Sequence, residues 1–443
     1  MKRTRVTFLK KGSAASFLFL MLISLLASTK MSAFQENTET ESDYRQYKGE
    51  VVDESSKNPL VFATLSVEGT NISTITNTEG DFLLKVPKNI DNGTVVVSFL
   101  GYTTKHIPLA QLQPEDNRIE LLISVTQLSE VNINAPKDAG ALVREALARK
   151  GENYFDNPTL MTAFYRETIK KRRKNVSLSE AVVNIYKSSY NSVRKDAVEL
   201  YKARKSTDYS KLDTVALKLQ GGPFNTLYVD IMKYPEYIFA EDYFSDYKFT
   251  FSRSTKINDK LIYVIKFDQL ETIAEPLYAG ELFIDVETKT LTSAIYTLNI
   301  TDKEKAAKLF VRRKPATADV WPTEVSYRVD YREKDGKWYY GYSNVLLEFK
   351  VDWKDKLFNS IYSMTAEMAV TDWEKNTTGE LPKTKQRIKK SIILSDEAIG
   401  FADPDFWGEY NIIEPEKSIE SAIKKIQRQL RRSKSKGGSA SAP

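Results

Sequence analysis

From residue 47 to residue 372 the chain returns again and again to short runs in which apolar or β-branched residues alternate with polar ones, each closed by Gly, Pro, Asn or Asp. A period of two puts one set of side chains on one face of an extended strand, so the pattern excludes a helical bundle. The first runs, at residues 47–52, 60–67, 73–76, 81–86, 94–99, 103–107 and 118–123, predict six or seven short strands packed as a β-sandwich. Later runs at 263–267, 282–285, 291–298, 325–331 and 338–349 are separated by turns at 258–260, 285–289 and 334–337. Strands joined so tightly form an antiparallel meander rather than βαβ units. The 24 Tyr and 21 Phe suit this reading, because flat rings pack well on a pleated surface.

Helical signals are sparse. Asp138 is a suitable N-cap for residues 141–148, with Gly151 just beyond, and residues 224–232 predict a helix stopped before Pro235. Residues 418–432 place Ile419, Ile423, Ile426 and Leu430 on one face behind a Ser418 cap.

The N-terminus reads as an export signal: a basic start, an apolar run over residues 14–27, and small residues at Ser32-Ala33. That run is shorter than the roughly 20 residues of a membrane-spanning helix, and no second such run follows. The expected organisation is a signal peptide at 1–33, a flexible leader at 34–45, the sandwich at 46–126 and a linker at 127–137. A β-rich domain at 138–416, an amphipathic basic helix at 417–433 and a disordered tail at 434–443 complete it. The expected location is the periplasm or the periplasmic face of the outer membrane.

The net charge of +6 is misleading. Six basic residues and no acid lie in the first 33 positions, and seven more without an acid lie from Lys424 onward, which leaves the body at −7. An acidic body is a poor nucleic-acid binder, so no nucleic-acid partner is expected. The basic end suits an anionic membrane surface, with Lys424, Lys425, Arg428, Arg431 and Arg432 as the candidate contacts.

The usual hydrolytic machinery lacks parts. The chain has one imidazole, His106, in an edge-like strand, no cysteine and no Gly-x-Ser-x-Gly elbow. Zinc needs more His or Cys ligands than exist here, and Gly221-Gly222-Pro223 lacks the Lys-Ser/Thr of a phosphate loop. No catalytic residue, metal or cofactor is therefore expected. A carboxylate-based hydrolase stays open as an alternative, although among 59 Asp and Glu no pair is singled out.

Residues 47–123 carry Gly49-x-Val51-Val52-Asp53, Pro59-Leu60-x-x-Ala63-x-x-x-Val67-x-Gly69-Thr70, Thr76-Asn77-x-x-Gly80-x-Phe82 and Val97-Ser98-Phe99-Leu100-Gly101-Tyr102. This pattern resembles the carboxypeptidase-regulatory-like, or transthyretin-like, domain family. The resemblance implies a seven-stranded sandwich without a peptidase site. The junction 127–133 and the segments 141–150, 164–167 and 406–415 look like a group of envelope proteins of Bacteroidetes type that carry this module. Gly280-Glu281-Leu282-Phe283-Ile284-Asp285-x-x-Thr288 resembles a hairpin of the lipoprotein-carrier fold, a half-barrel that holds acyl chains.

The expected fold is thus mainly β: an N-terminal sandwich, then a larger antiparallel meander, carrier-like in one version, with a few helices. The expected role is a non-catalytic envelope binding or scaffold protein, with an apolar-ligand carrier as the alternative. Its partner would be an envelope protein, a lipid or a glycan. Were the meander to form a cradle, Tyr278, Phe283, Trp321, Trp338 and Phe349 are the candidate lining residues; a face filled by its own side chains would remove that reading.

Overall fold

The computed structural model describes residues 43–124, 138–172, 174–207, 219–257, 260–311, 314, 316–400 and 406–417. Seven strands build the sandwich: β1 (Tyr44–Asp53), β2 (Thr64–Val67), β3 (Ser73–Ile75), β4 (Asp81–Pro87), β5 (Thr94–Ser98), β6 (Lys105–Pro108) and β7 (Asn117–Leu121). They form one sheet of order β4-β1-β7 and another of order β3-β2-β5-β6. Val51, Leu65, Phe82, Leu84, Val95 and Val97 fill the space between, each fully buried. Two motif glycines have backbone reasons. Gly80 and Gly101 adopt φ of +80° and +84°, and at Gly80 a Cβ would sit 2.8 Å from Pro59 Cβ. His106 is exposed on β6, the edge of its sheet.

The larger sheet has eleven strands. They are β8 (Thr159–Lys171), β9 (Lys174–Lys187), β10 (Ala197–Thr207), β11 (Tyr247–Ile257), β12 (Lys260–Gln269), β13 (Tyr278–Asp285), β14 (Leu291–Leu298), β15 (Ala318–Lys334), β16 (Lys337–Trp353), β17 (Ser360–Lys375) and β18 (Ile399–Gly400). Their order is β11-β12-β13-β14-β15-β16-β17-β8-β9-β10-β18, antiparallel throughout except for the short β10–β18 pairing. The chain lays down β8 to β10 first, leaves the sheet, and returns as a seven-strand meander whose last member pairs with β8. The Asp285–Thr290 turn is held by Asp285 Oδ1, which accepts from the amides of Glu287 (2.9 Å) and Thr288 (2.7 Å).

The two faces of this sheet are covered differently. On one lie helix α1 (Ala139–Ala148), the short α2 (Lys150–Asn153) and the segment 219–246, which contains α3 (Phe224–Leu227). Asp138 caps α1 by accepting from the Ala141 amide at 3.1 Å, as its sequence predicts. The helix expected over 224–232 ends after Leu227. Beyond it the backbone is bonded to the sheet instead: the Met232 amide donates to Tyr331 Oη at 3.1 Å. Two further short helices, α4 (Lys303–Phe310) and α5 (Leu394–Glu397), follow β14 and precede β18.

The opposite face meets the sandwich. Ile75 and Leu83 pack with Phe164, Val182, Tyr342 and Ala369, while Leu100 packs against Ile262, Val264 and Phe283. Residues 406–417 run between the two. Ile412 O accepts from Thr74 Oγ1 (3.1 Å), the Asn411 amide group bonds the Lys85 backbone in both directions (2.7 and 3.0 Å), and Arg166 Nη2 donates to Ile413 O at 2.6 Å. Trp407 lies edge-on to Phe164 at 5.3 Å and beneath the Arg204 guanidinium. Arg166 and Arg204 each reach the fully buried Glu180 at 2.8 Å. The expected signal peptide, linker, C-terminal helix and tail lie outside the described residues. No helix among those described is long and apolar enough to cross a membrane.

Candidate functional site

The helix-covered face is only half filled. α1 and the segment 224–247 pack against one half of the strands. Over the other half a cavity of about 600 Å³ remains. Its floor is the sheet: Tyr278 of β13, Tyr296 of β14, Val320 and Tyr327 of β15, Val345, Leu347 and Phe349 of β16, and Met364 and Ala366 of β17. The odd-numbered β16 residues share this face because side chains alternate along a strand. The walls come from Leu219, Phe224, Tyr228, Val229, Tyr237 and Ile238, and from Leu309, Phe310 and Val311 at the end of α4.

Aromatic rings organise the floor. Tyr296 and Tyr327 are direct cross-strand partners, and their rings stack at 5.0 Å and 14°. Tyr278 stands edge-on to both, at 5.5 and 5.8 Å. Burial raises the Tyr228, Tyr278 and Tyr327 hydroxyls above their usual range, so they stay protonated donors. Tyr228 Oη is buried without a hydrogen-bond partner among the described residues, and Lys390 Nζ sits 5.2 Å over the same ring.

Among the described residues no carboxylate lines the cavity, and the charged ones that do are Lys314 and Lys390. Lys314 is engaged by Ala318 O (2.7 Å) and Asp319 Oδ1. Glu167 is buried beside the floor, directly opposite Ala366 in the β8–β17 register and therefore on the same face of the sheet. It forms no ion pair among the described residues and accepts a 2.8 Å bond from Tyr165 Oη. Burial pushes its carboxyl up to about 7, against the lowering effect of that bond. Among the described residues, no cluster of three or more His, Cys, Asp or Glu is arranged to hold a metal.

The five candidate lining residues divide. Tyr278 and Phe349 face the cavity. Phe283 does not: it lies on the sandwich-facing side, under Leu100. Trp338 is buried in the filled half of the core. Trp321 sits next to Val320 but is not part of the cavity wall, and its ring is flanked by Lys303 (5.6 Å) and Lys350 (5.7 Å). The sequence reading misses Tyr296, Tyr327, Val345, Leu347, Met364 and Ala366. Strand parity is the available signal: Tyr278 and Phe283 are an odd number of residues apart and cannot share a face of a regular strand. Lys424, Lys425, Arg428, Arg431 and Arg432 lie outside the described residues.

Comparison with solved structures finds similarity to a domain described as outer membrane lipoprotein-sorting from Vibrio parahaemolyticus. The identity is 11%, over 54% of this chain and 92% of that one, with a TM-score of 0.23. A DUF1329 family protein from Desulfovibrio piger ATCC 29098 is similar at 8% identity, over 54% and 95% of the two chains, with a TM-score of 0.22. Scores this low carry no argument about the site. No curated protein matches the chain. The model of the CarboxypepD_reg-like domain matches residues 47–133, the span of the seven-stranded sandwich and the residues that follow it. Residues 47–133 are therefore a CarboxypepD_reg-like domain.

Proposed function

We propose that this chain is a non-catalytic binding protein of the bacterial envelope, and that it holds an apolar molecule, such as an acyl chain, in the cavity over β13–β17. The cavity carries the reading. Its 600 Å³ lies within the range of roughly 300–1,000 Å³ usual for small-molecule sites, and apolar and aromatic side chains dominate its walls. That no carboxylate lines it among the described residues weighs against the hydrolase alternative, because glycoside hydrolysis needs two. The signal-like N-terminus supports export.

The sandwich has a scaffold role in this reading. Its β3–β4 side is engaged by the large sheet and by residues 406–417. Titration with a fluorescent fatty acid tests the proposal. Wild type should bind saturably, and Ala366→Trp, which places an indole on the cavity floor, should abolish binding while the fold persists. Saturable binding that is indifferent to Ala366→Trp would refute it.

A further inference from the structure

The strands that floor the cavity end together. Ala318 of β15 pairs with Trp353 of β16, Val351 with Ser360 of β17, and Tyr362 with Lys171 of β8. At this end the turn between β16 and β17 presents Leu357 and Phe358 to solvent, at 96% and 78% exposure, with Ile361 at 39%. Scattered exposed apolar residues are ordinary; an adjacent Leu-Phe pair at a hairpin tip, free of any core role, marks a contact surface.

Charge identifies the partner. Lys354 and Lys356 flank the pair, and the acids of this turn are Asp352 and Asp355. The neighbouring β8–β9 turn reads Lys170-Lys171-Arg172-Arg173-Lys174, with no acid. It abuts the tip, because the Arg172 amide donates to Ile361 O at 2.9 Å. Within it Lys170 is bridged to Glu416, while Arg172 and Lys174 are exposed. Trp353 is buried at the same end, with Lys356 Nζ 4.7 Å over its ring. The apolar face of β16 runs without interruption from the cavity residue Phe349 through Val351 to Trp353.

We propose that this strand end docks on an anionic lipid bilayer, with Leu357 and Phe358 entering the interface and the two basic turns resting on the headgroups. The proposal goes beyond ligand binding and can fail on its own, because docking is read on vesicles and the cavity is read by fatty-acid titration.

The absence of cysteine makes the test clean. Full-length Leu357→Cys carries one environment-sensitive fluorophore at the tip. Val193→Cys, at 101% exposure in the loop after β9, carries it at the opposite end of a strand spanning about 45 Å. With vesicles containing phosphatidylglycerol, the probe at 357 should shift to the blue and brighten, and the probe at 193 should not change. Pure phosphatidylcholine should give no response. Arg172→Glu/Lys174→Glu/Lys354→Glu, all exposed positions, should weaken the response roughly tenfold or more, as should high salt. A silent probe at 357, equal responses at both positions, or a response that survives charge reversal overturns the proposal. Reading the tip directly separates this docking from any binding by residues 418–443.

Discussion

Lys187 Nζ lies 2.8 Å from Asp230 Oδ2, and both side chains are sealed from water. The pair ties β9 to the covering segment that also supplies the cavity-wall residue Val229. Asp196 approaches the same ammonium at 2.8 Å, and Asp230 further accepts from Tyr190 Oη (3.1 Å) and Tyr331 Oη (2.9 Å). Burial alone would discharge Lys187; the two carboxylates outweigh it and raise its pKa. Lys187→Met leaves Asp196 and Asp230 buried, close and without their cation. Losing one partner of such a pair costs about 3–5 kcal/mol, and urea unfolding of the variant should show a loss of that size. A loss below about 1 kcal/mol, the range of a surface pair, would contradict the assignment.

Glu167 makes stability depend on pH in an unusual direction. Its carboxyl is raised to about 7 in the folded chain from the ordinary 4.5 of a glutamate, chiefly by burial. Between those pH values the folded state binds more protons than the unfolded one, so this group's contribution falls as pH rises through the window. Glu167→Gln removes the charge and keeps an acceptor for Tyr165. The variant should match wild type at pH 4.5 and exceed it at pH 8, by on the order of 3 kcal/mol. Paired urea titrations at the two pH values give the difference directly, and equal stability at both would show that Glu167 is ionised without cost.

Trp407 tests how firmly the sandwich is joined to the sheet. Its indole is buried between Phe164 and Arg204 within residues 406–417, whose backbone also bonds the sandwich. Replacing a buried Trp by Ala costs about 3–5 kcal/mol. Trp407→Ala should lower the unfolding midpoint and speed tryptic cleavage after Lys417, whose side chain is already exposed and whose backbone must loosen to be cut. Unchanged cleavage kinetics would mean that the segment is held without the indole.

Much of this architecture is legible in residue order, and the exceptions have one cause. The short sandwich strands and the body of β15 alternate visibly because each has a distinct inner and outer face. β8 and β9 do not, since both faces are buried over most of their length. A strand covered on both sides loses its period of two, and with it goes any sign that β8 pairs with β17. Face assignment fails for the same reason. Alternation groups Tyr278 with Leu282 and Ile284 and separates them from Phe283, yet it does not say which group meets a helix, a sandwich or empty space. The cavity is bounded by side chains of 219–238 and 309–311 over the sheet, a property of tertiary packing that no local pattern records.

Tyr228 offers a way to separate structure from ligand recognition at one atom. Its Oη is buried at the cavity wall without a hydrogen-bond partner among the described residues, which carries a desolvation cost of about 1–3 kcal/mol. Tyr228→Phe removes that cost while keeping the ring contacts to Tyr234 (5.0 Å) and Tyr237 (5.3 Å). The variant should unfold at the same or a slightly higher temperature than wild type. If the hydroxyl serves a ligand's polar end, the same change should weaken binding of a fatty acid while leaving a matched alkane unaffected. The alkane is the control, since it uses the walls and has nothing for the hydroxyl to bond. A lower melting temperature with no ligand added would show that Oη already has a partner, and equal losses for both ligands would place the effect in the shape of the wall rather than in its donor.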